Sequence, residues 1–342
     1  MLYISNIATY TLSDSVRVKI ALDDIKRPVA KELELFEEKF RQAMKSRVPL
    51  LDRITYYIIR RKGKQLRPIL VFLSSEYFGG ITEQTYRGAA LIELMHTATL
   101  VHDDVVDDAY YRRGFFSINA LWKNKIAVLI GDYLLSKVLL LAVEHSDFEM
   151  LRLVSTAVKE MSEGELLQIE KARRLDIDES VYYEIIRQKT ASLIAACCAI
   201  GAYAGGANNT QIEHFTRFGE YLGMAFQIKD DLFDLDPESN TGKPSGIDIK
   251  ERKMTLPLIY ALSNAGWLEK REITYLVKNK NNDPKAVKKV IDFILNSGGV
   301  EYAKQKMNEY HDKALKVLEE VKTEHSDQFL RNLALYVLQR SH

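Results

Sequence analysis

Cysteine is scarce in this chain. Its 342 residues hold only Cys197 and Cys198, side by side in the apolar run SLIAACCAIGAYAGG. Two sequence neighbours cannot staple distant segments, so a disulfide framework is excluded and a reducing cytosol fits. Both read as small core residues. Proline is scarce too, with seven widely spaced copies, so long helices can run without interruption. A charge surplus is missing: 48 basic and 47 acidic residues leave a net +1. That balance argues against general nucleic-acid binding, which wants a basic excess. The opening MLYISNIATYTLSDSV lacks a basic stretch followed by an apolar one, so no secretory signal is expected. No apolar run reads as the ~18 residues of a spanning helix, because IAVLIGDYLLSKVLLLA is broken by glycine and charge. The expectation is a soluble cytoplasmic protein that visits a membrane surface only transiently.

What is present is helical periodicity. In RGAALIELMHTATLVHDDVVDD, the residues Leu91, Leu94, Met95, Ala98 and Val101 recur at spacings of three and four, the period of one helix face. VSTAVKEMSEGELLQIEKARR, TRFGEYLGMAFQIKDDLFDL and AKQKMNEYHDKALKVLEEVK behave alike. No stretch alternates strictly over four to eight residues, so the fold is read as all-α. Loops are marked at FGGIT, YAGGANNT, DPESNTGKPSG, KNKNNDP and NSGG. None is long enough to be an interdomain linker, and no repeat of 30 to 50 residues recurs. Although the length alone suggests about two domains, the pattern predicts one all-α domain over residues 1–342.

Two acidic clusters stand out. Asp103, Asp104 and Asp107 form D-D-x-x-D, as do Asp230, Asp231 and Asp234. On a helix, residues four apart share a face. Crowded carboxylates are costly unless a cation neutralises them. Oxygen-only donors at fixed spacing suit Mg²⁺, which leans on one or two carboxylates plus substrate phosphates. One such motif is weak, since acidic helix ends are common. Two copies, each behind an apolar stretch (LMHTATLVHDD and GMAFQIKDD), predict facing acid rims at the mouth of an apolar bundle. Such rims would clamp a diphosphate through two or three Mg²⁺ ions.

A diphosphate also needs basic residues. Lys64 and Arg67 lie just ahead of or beside Pro68; Arg112 and Arg113 follow the first cluster; Lys189 precedes Thr190; Lys243 and Lys253 follow the second cluster. Arginine forks fit phosphate oxygens in pairs, whereas lysine acts as a point charge. For any single one, a solvated surface charge is an equal alternative. GKQLRP lacks the spaced glycines and GK[ST] of a phosphate loop, so a nucleotide site is rejected. His96 and His102 stand near the acids. A lone histidine there is more often structural, but His96 lies two helical turns before Asp103 on the same face.

GKQLRP, HTATLVHDDVVDDAYYRRG, KTASL and GMAFQIKDDLFD…TGKPSGIDIKERKMTLPL together resemble the trans-isoprenyl diphosphate synthases, from about residue 60 to 260 and in the right order. The first cluster most resembles the long-chain branch, such as octaprenyl and solanesyl diphosphate synthases. The resemblance implies an all-α homodimer with a deep central apolar cavity and Mg²⁺ dependence. It implies metal binding by Asp103, Asp107 and Asp230, supported by Asp104, Asp231 and Asp234. Arg112, Lys189 and Lys243 would contact the allylic diphosphate. Lys64, Arg67, His96 and Arg113 would hold isopentenyl diphosphate. Thr190, Phe226 and Gln227 would line the reacting centre. The chain departs from the family at Gln65, where many members carry a basic residue, and Lys253 sits one residue later than in some relatives. Ala98 and Thr99, the small residues five and four before Asp103, occupy positions where shorter-chain enzymes place an aromatic. They imply a medium or long polyprenyl product made from farnesyl or geranylgeranyl diphosphate. A shorter-chain synthase, a terpene cyclase, a non-catalytic synthase subunit and a plain helical scaffold are the competing readings. The six aspartates and the basic set weigh against the last three.

Overall fold

The structure is a computed structural model and describes residues 20–60, 63–112, 114–174, 177–235 and 246–340, with Arg112, Arg173 and Arg174 described by their backbone. The chain opens with α1 (Leu22–Lys26), α2 (Ala30–Ala43) and α3 (Pro49–Ile59). The long helices α4 (Leu66–Phe78), α5 (Glu83–Val106), α6 (Ile118–Glu144) and α7 (Phe148–Arg174) follow. α8 (Glu179–Ile186) passes through a π-helical turn, Arg187–Ala191, into α9 (Ser192–Ala204). Then come α10 (Asn209–Phe233), the one-turn α11 (Ile247–Lys250), α12 (Leu256–Asn264), α13 (Trp267–Asn279), α14 (Pro284–Asn296), α15 (Gly299–Glu320) and α16 (Gln328–Gln339). The all-α expectation holds, with one small exception. Tyr111–Arg112 (β1) and Phe115–Phe116 (β2) pair antiparallel, Tyr111 opposite Phe116. Two residues per strand are too few to show alternation in the sequence.

Local chemistry sets the helix starts. Thr82 accepts the amide of Thr85, whose hydroxyl returns to the Thr82 amide, and Asn208 and Gln211 repeat the exchange ahead of α10. Each such cap is worth about 1 kcal/mol. Proline opens α3, α12 and α14, where its missing N–H costs nothing. α4 and α9 are apolar nearly all round and therefore lie inside. α9 packs on α4, α5, α7 and α10. Cys197 and Cys198 are free thiols within it, and burial pushes Cys198 up to about 12, the behaviour of inert core residues.

Gly131, Asp132 and Lys137 do not break α6. The expectation that no segment reaches spanning length is corrected here. α6 holds an 18-residue window of mean hydropathy 2.1, and Glu179–Ala204 also qualifies by length and composition. A glycine costs a helix about 1 kcal/mol, too little to stop one that packs along α5. The α6 backbone departs from helical geometry only at Lys123, at φ 67° and ψ 160°. The apolar window of Glu179–Ala204 is 72% buried, that of α6 only 33%. Leu121, Val128, Leu129, Leu139, Leu140 and Val143 of α6 face outward. His102 packs into the space left by Gly131, where a Cβ would sit 2.0 Å from its ring. This is the structural role expected of a lone histidine.

Candidate active site

α5 delivers the first cluster. His96, Thr99, Asp103 and Asp107 follow one another at spacings of three and four and all line a cavity of about 780 Å³. Asp103 and Asp107 are exposed, while Asp104 is buried. The helix ends here, with the Asp107 amide bonded to the Asp103 carbonyl at 2.8 Å. Behind it, the Ser117 hydroxyl donates to the Ala109 carbonyl at 2.5 Å and Asn119 donates to the Asp104 carbonyl at 3.0 Å. These bonds fix the turn that leads into the β1–β2 hairpin. Carboxylates at a helix C-terminus oppose its dipole, so the arrangement stores negative charge that a cation relieves.

The second cluster ends α10 in the same way but is tied differently. Asp230 Oδ1 accepts Arg340 Nη2 at 2.5 Å. The same nitrogen donates to the Phe226 carbonyl at 3.0 Å, and the guanidinium lies 3.7 Å from the Phe226 ring centre. Asp231 accepts the Tyr182 hydroxyl at 2.7 Å and the Gln227 amide at 2.9 Å. Gln227 in turn accepts the Thr190 hydroxyl at 2.7 Å. Burial, aided by the nearby Asp248 carboxylate, raises Asp231 to about 7. Asp234 accepts the amides of Ile247 and Asp248 at 2.9 and 3.1 Å, thereby capping α11. Burial also raises Asp234 and Asp248. Asp230, Asp231, Asp234, Gln227, Asp248 and Lys253 line a cleft of about 470 Å³.

Lys189 and Thr190 line both spaces. The π-helical turn that carries them has one residue more than an α-turn, a feature frequent at functional sites. It fits against α7 because residue 164 is glycine: a Cβ there would meet Gln188 Cβ at 2.8 Å and the Lys189 amide nitrogen at 3.0 Å. Lys189 pairs with Glu165 and lies 3.4 Å from Gln168 Oε1. Lys64, Arg67, His96 and Phe226 line the larger cavity. The bend before α4 is made by Gln65 in the left-handed region, φ 57°, with its amide bonded to Glu37 at 3.0 Å. A non-glycine residue there costs about 1–2 kcal/mol, spent where Lys64 and Arg67 enter the site. Lys253 pairs with Glu251 and Asp248 at 2.5 and 3.5 Å. These partners raise its pKa against the opposing effect of burial.

Of the two chain-length positions, Thr99 lines the cavity. Ala98 is fully buried and is not among the lining residues. Lys243 and Arg113 lie outside the described residues, and Arg112 is placed only as part of β1. Four residues went unseen in the sequence reading. Arg340, Tyr182, Asp248 and Glu165 each hold or adjoin a residue that was singled out. Their signal is contact across the fold, which no local spacing carries.

Among the described residues, no three acidic, histidine or cysteine side chains converge as a metal-holding group. The donors nonetheless fit a hard ion. They are carboxylate oxygens from two helix ends, and one of them already holds a cationic guanidinium. An ion needing only one or two carboxylates, with phosphate oxygens completing its shell, suits this set.

The Polyprenyl synthetase family model matches residues 48–294. The chain is 35% identical over 316 residues to a short chain isoprenyl diphosphate synthase of Methanothermobacter thermautotrophicus, covering 90% of this chain and 96% of that protein. It is 34% identical over 312 residues to heptaprenyl diphosphate synthase component 2 of Geobacillus stearothermophilus, covering 91% and 96%. Among solved structures, a polyprenyl synthase from Caulobacter crescentus complexed with calcium and isoprenyl diphosphate is similar at TM-score 0.86 and 29% identity, covering 96% of this chain and 100% of that one. The match spans both acidic helix ends and the turn between them, and the chain belongs to the polyprenyl synthetase family of prenyltransferases.

Proposed function

We propose that the chain condenses isopentenyl diphosphate with an allylic diphosphate primer, farnesyl or geranylgeranyl diphosphate, to a medium- or long-chain all-trans polyprenyl diphosphate. The observation that carries this reading is the meeting of both acidic helix ends on adjoining spaces that share Lys189 and Thr190. Asp103, Asp107 and Asp230 would hold two or three Mg²⁺ ions. Asp104, Asp231 and Asp234 position the helix ends behind them. The Caulobacter neighbour, solved with calcium and isoprenyl diphosphate, supports a divalent-cation site in this fold. Bound magnesium supplies positive charge to the diphosphate oxygens as the allylic C–O bond breaks.

The chain's own residues supply the rest. Lys189, with Arg112 and Lys243, binds the allylic diphosphate. Lys64, Arg67, His96 and Arg113 bind isopentenyl diphosphate. The Thr190–Gln227 pair and the Phe226 ring face the developing allylic cation with fixed dipoles and a π-face. Leu70, Leu193 and Leu222 in the cavity wall exclude water that would trap the cation as an alcohol. The isopentenyl double bond attacks the cation, a carbon–carbon bond forms, and the proton then lost passes to the released diphosphate. Thr99, small and on the cavity wall, leaves room for a growing chain.

The outward-facing Leu121, Val128, Leu129, Leu139, Leu140 and Val143 of α6 support a homodimer, since clustered exposed apolar side chains suit an interface. Reduced, buried thiols suit a cytoplasmic setting, with transient membrane contact as the product leaves. The test is an assay of the purified chain with labelled isopentenyl diphosphate, farnesyl diphosphate and Mg²⁺, followed by chromatography of the dephosphorylated products. Products longer than geranylgeraniol are expected. Consumption of farnesyl diphosphate without isopentenyl diphosphate would indicate a cyclase. No incorporation without a second protein would indicate a dependent subunit.

A further inference from the structure

The residue that ends α16 lies at the centre of the second cluster. Arg340 is 7% exposed in its side chain and Asp230 39%. The guanidinium is held by the Asp230 carboxylate, the Phe226 carbonyl and the faces of Phe226 and Phe233, at 3.7 and 5.4 Å from the ring centres. Arginine keeps its charge at all working pH values. Asp230 therefore carries a permanent cation on one oxygen while it lines the cleft. Arg340 lines the neighbouring cavity, so it bridges the two spaces that the reaction uses.

We propose that Arg340 is a positioning residue that serves as a built-in counter-ion for Asp230, and that a divalent cation engages this carboxylate only by displacing it. The proposal rests on the functional reading above and deepens it. A charge-assisted bond of 2.5 Å and direct ligation of a small cation draw on the same carboxylate charge. Arg340 thereby keeps Asp230 oriented when no metal is present and sets the concentration at which metal enters. Metal entry is coupled to the end of α16, which packs on α4, α10 and α15.

The test is a Mn²⁺ titration of the substrate-free full chain, read by paramagnetic resonance of the free ion. It compares wild type, Arg340→Gln, Arg340→Lys and the Arg340→Gln/Asp230→Asn double variant. The Mn²⁺ site that the double variant lacks should be filled about tenfold more tightly in Arg340→Gln than in wild type, and Mn²⁺ should raise the melting temperature of Arg340→Gln more than that of wild type. Arg340→Lys should fall between the two, and it remains a decisive variant should the glutamine form not fold. The double variant should lose the gain. Equal or weaker Mn²⁺ binding by both single variants would overturn the proposal. A parallel titration with inorganic diphosphate separates the two readings. Wild type that binds no Mn²⁺ even then contradicts the functional reading itself, whereas binding that Arg340 substitutions leave unchanged contradicts this inference alone.

Discussion

The two acidic clusters share a spacing and a place, each at the C-terminal end of a long helix, yet they are built differently. In the first, Asp103 and Asp107 reach an open cavity and only Asp104 is buried. In the second, Arg340 holds Asp230, Tyr182 and Gln227 hold Asp231, and Asp234 caps α11. The first motif turns two of its three acids to the open cavity; in the second, each acid is held by a named partner. The same four-residue spacing therefore fixes which side chains share a face but not what they cost to change.

That contrast is sharpest for the first aspartate of each cluster. Asp103→Ala and Asp230→Ala should each lower kcat by at least about 10³-fold, the scale seen when charge stabilisation of a transition state is lost. Asp230→Ala should also destabilise the metal-free protein, by about 3–5 kcal/mol and more than Asp103→Ala does at its exposed position, because it leaves the buried Arg340 without its counter-charge. Urea unfolding of both variants checks this, and equal stability would erase the distinction. Tyr182→Phe, which strips a hydrogen bond from buried Asp231, should cost about 1–3 kcal/mol by the same assay. Gly164→Ala should push the π-helical turn off α7 and cost about 1–3 kcal/mol, with a fall in kcat as Lys189 shifts. Thr99→Phe should leave stability nearly unchanged and shorten the main product, as read by chromatography. Ala98→Phe, at a fully buried position, should instead unfold more readily.

The helices were legible where apolar residues recur at spacings of three and four, as do Leu91, Leu94, Met95, Ala98 and Val101 of α5, all of them buried. The acids were legible because D-D-x-x-D is a local pattern on one helix face. Arg340 was not, since nothing in LALYVLQRSH points to a partner on α10, 110 positions earlier. Nothing in SVYYEII ties Tyr182 to Asp231, 49 positions later, against which its hydroxyl acquires meaning. The apolar run of α6 beyond Lys123 was misjudged because glycine and isolated charges look like breaks in hydropathy, whereas helix continuity is decided by backbone propensity and packing. Ala98 and Thr99, adjacent in sequence, parted in the fold because neighbouring helical residues point about 100° apart.

The central claim is that Asp103, Asp107 and Asp230, brought from two helices, bind magnesium jointly with a diphosphate. Crystals grown with Mn²⁺ and inorganic diphosphate, measured at the manganese absorption edge, test it most directly. The account predicts anomalous peaks within ligand distance of Asp103 or Asp107 and of Asp230, bridged by one diphosphate. Manganese at one cluster alone, with Asp230 still closed on Arg340, would contradict it.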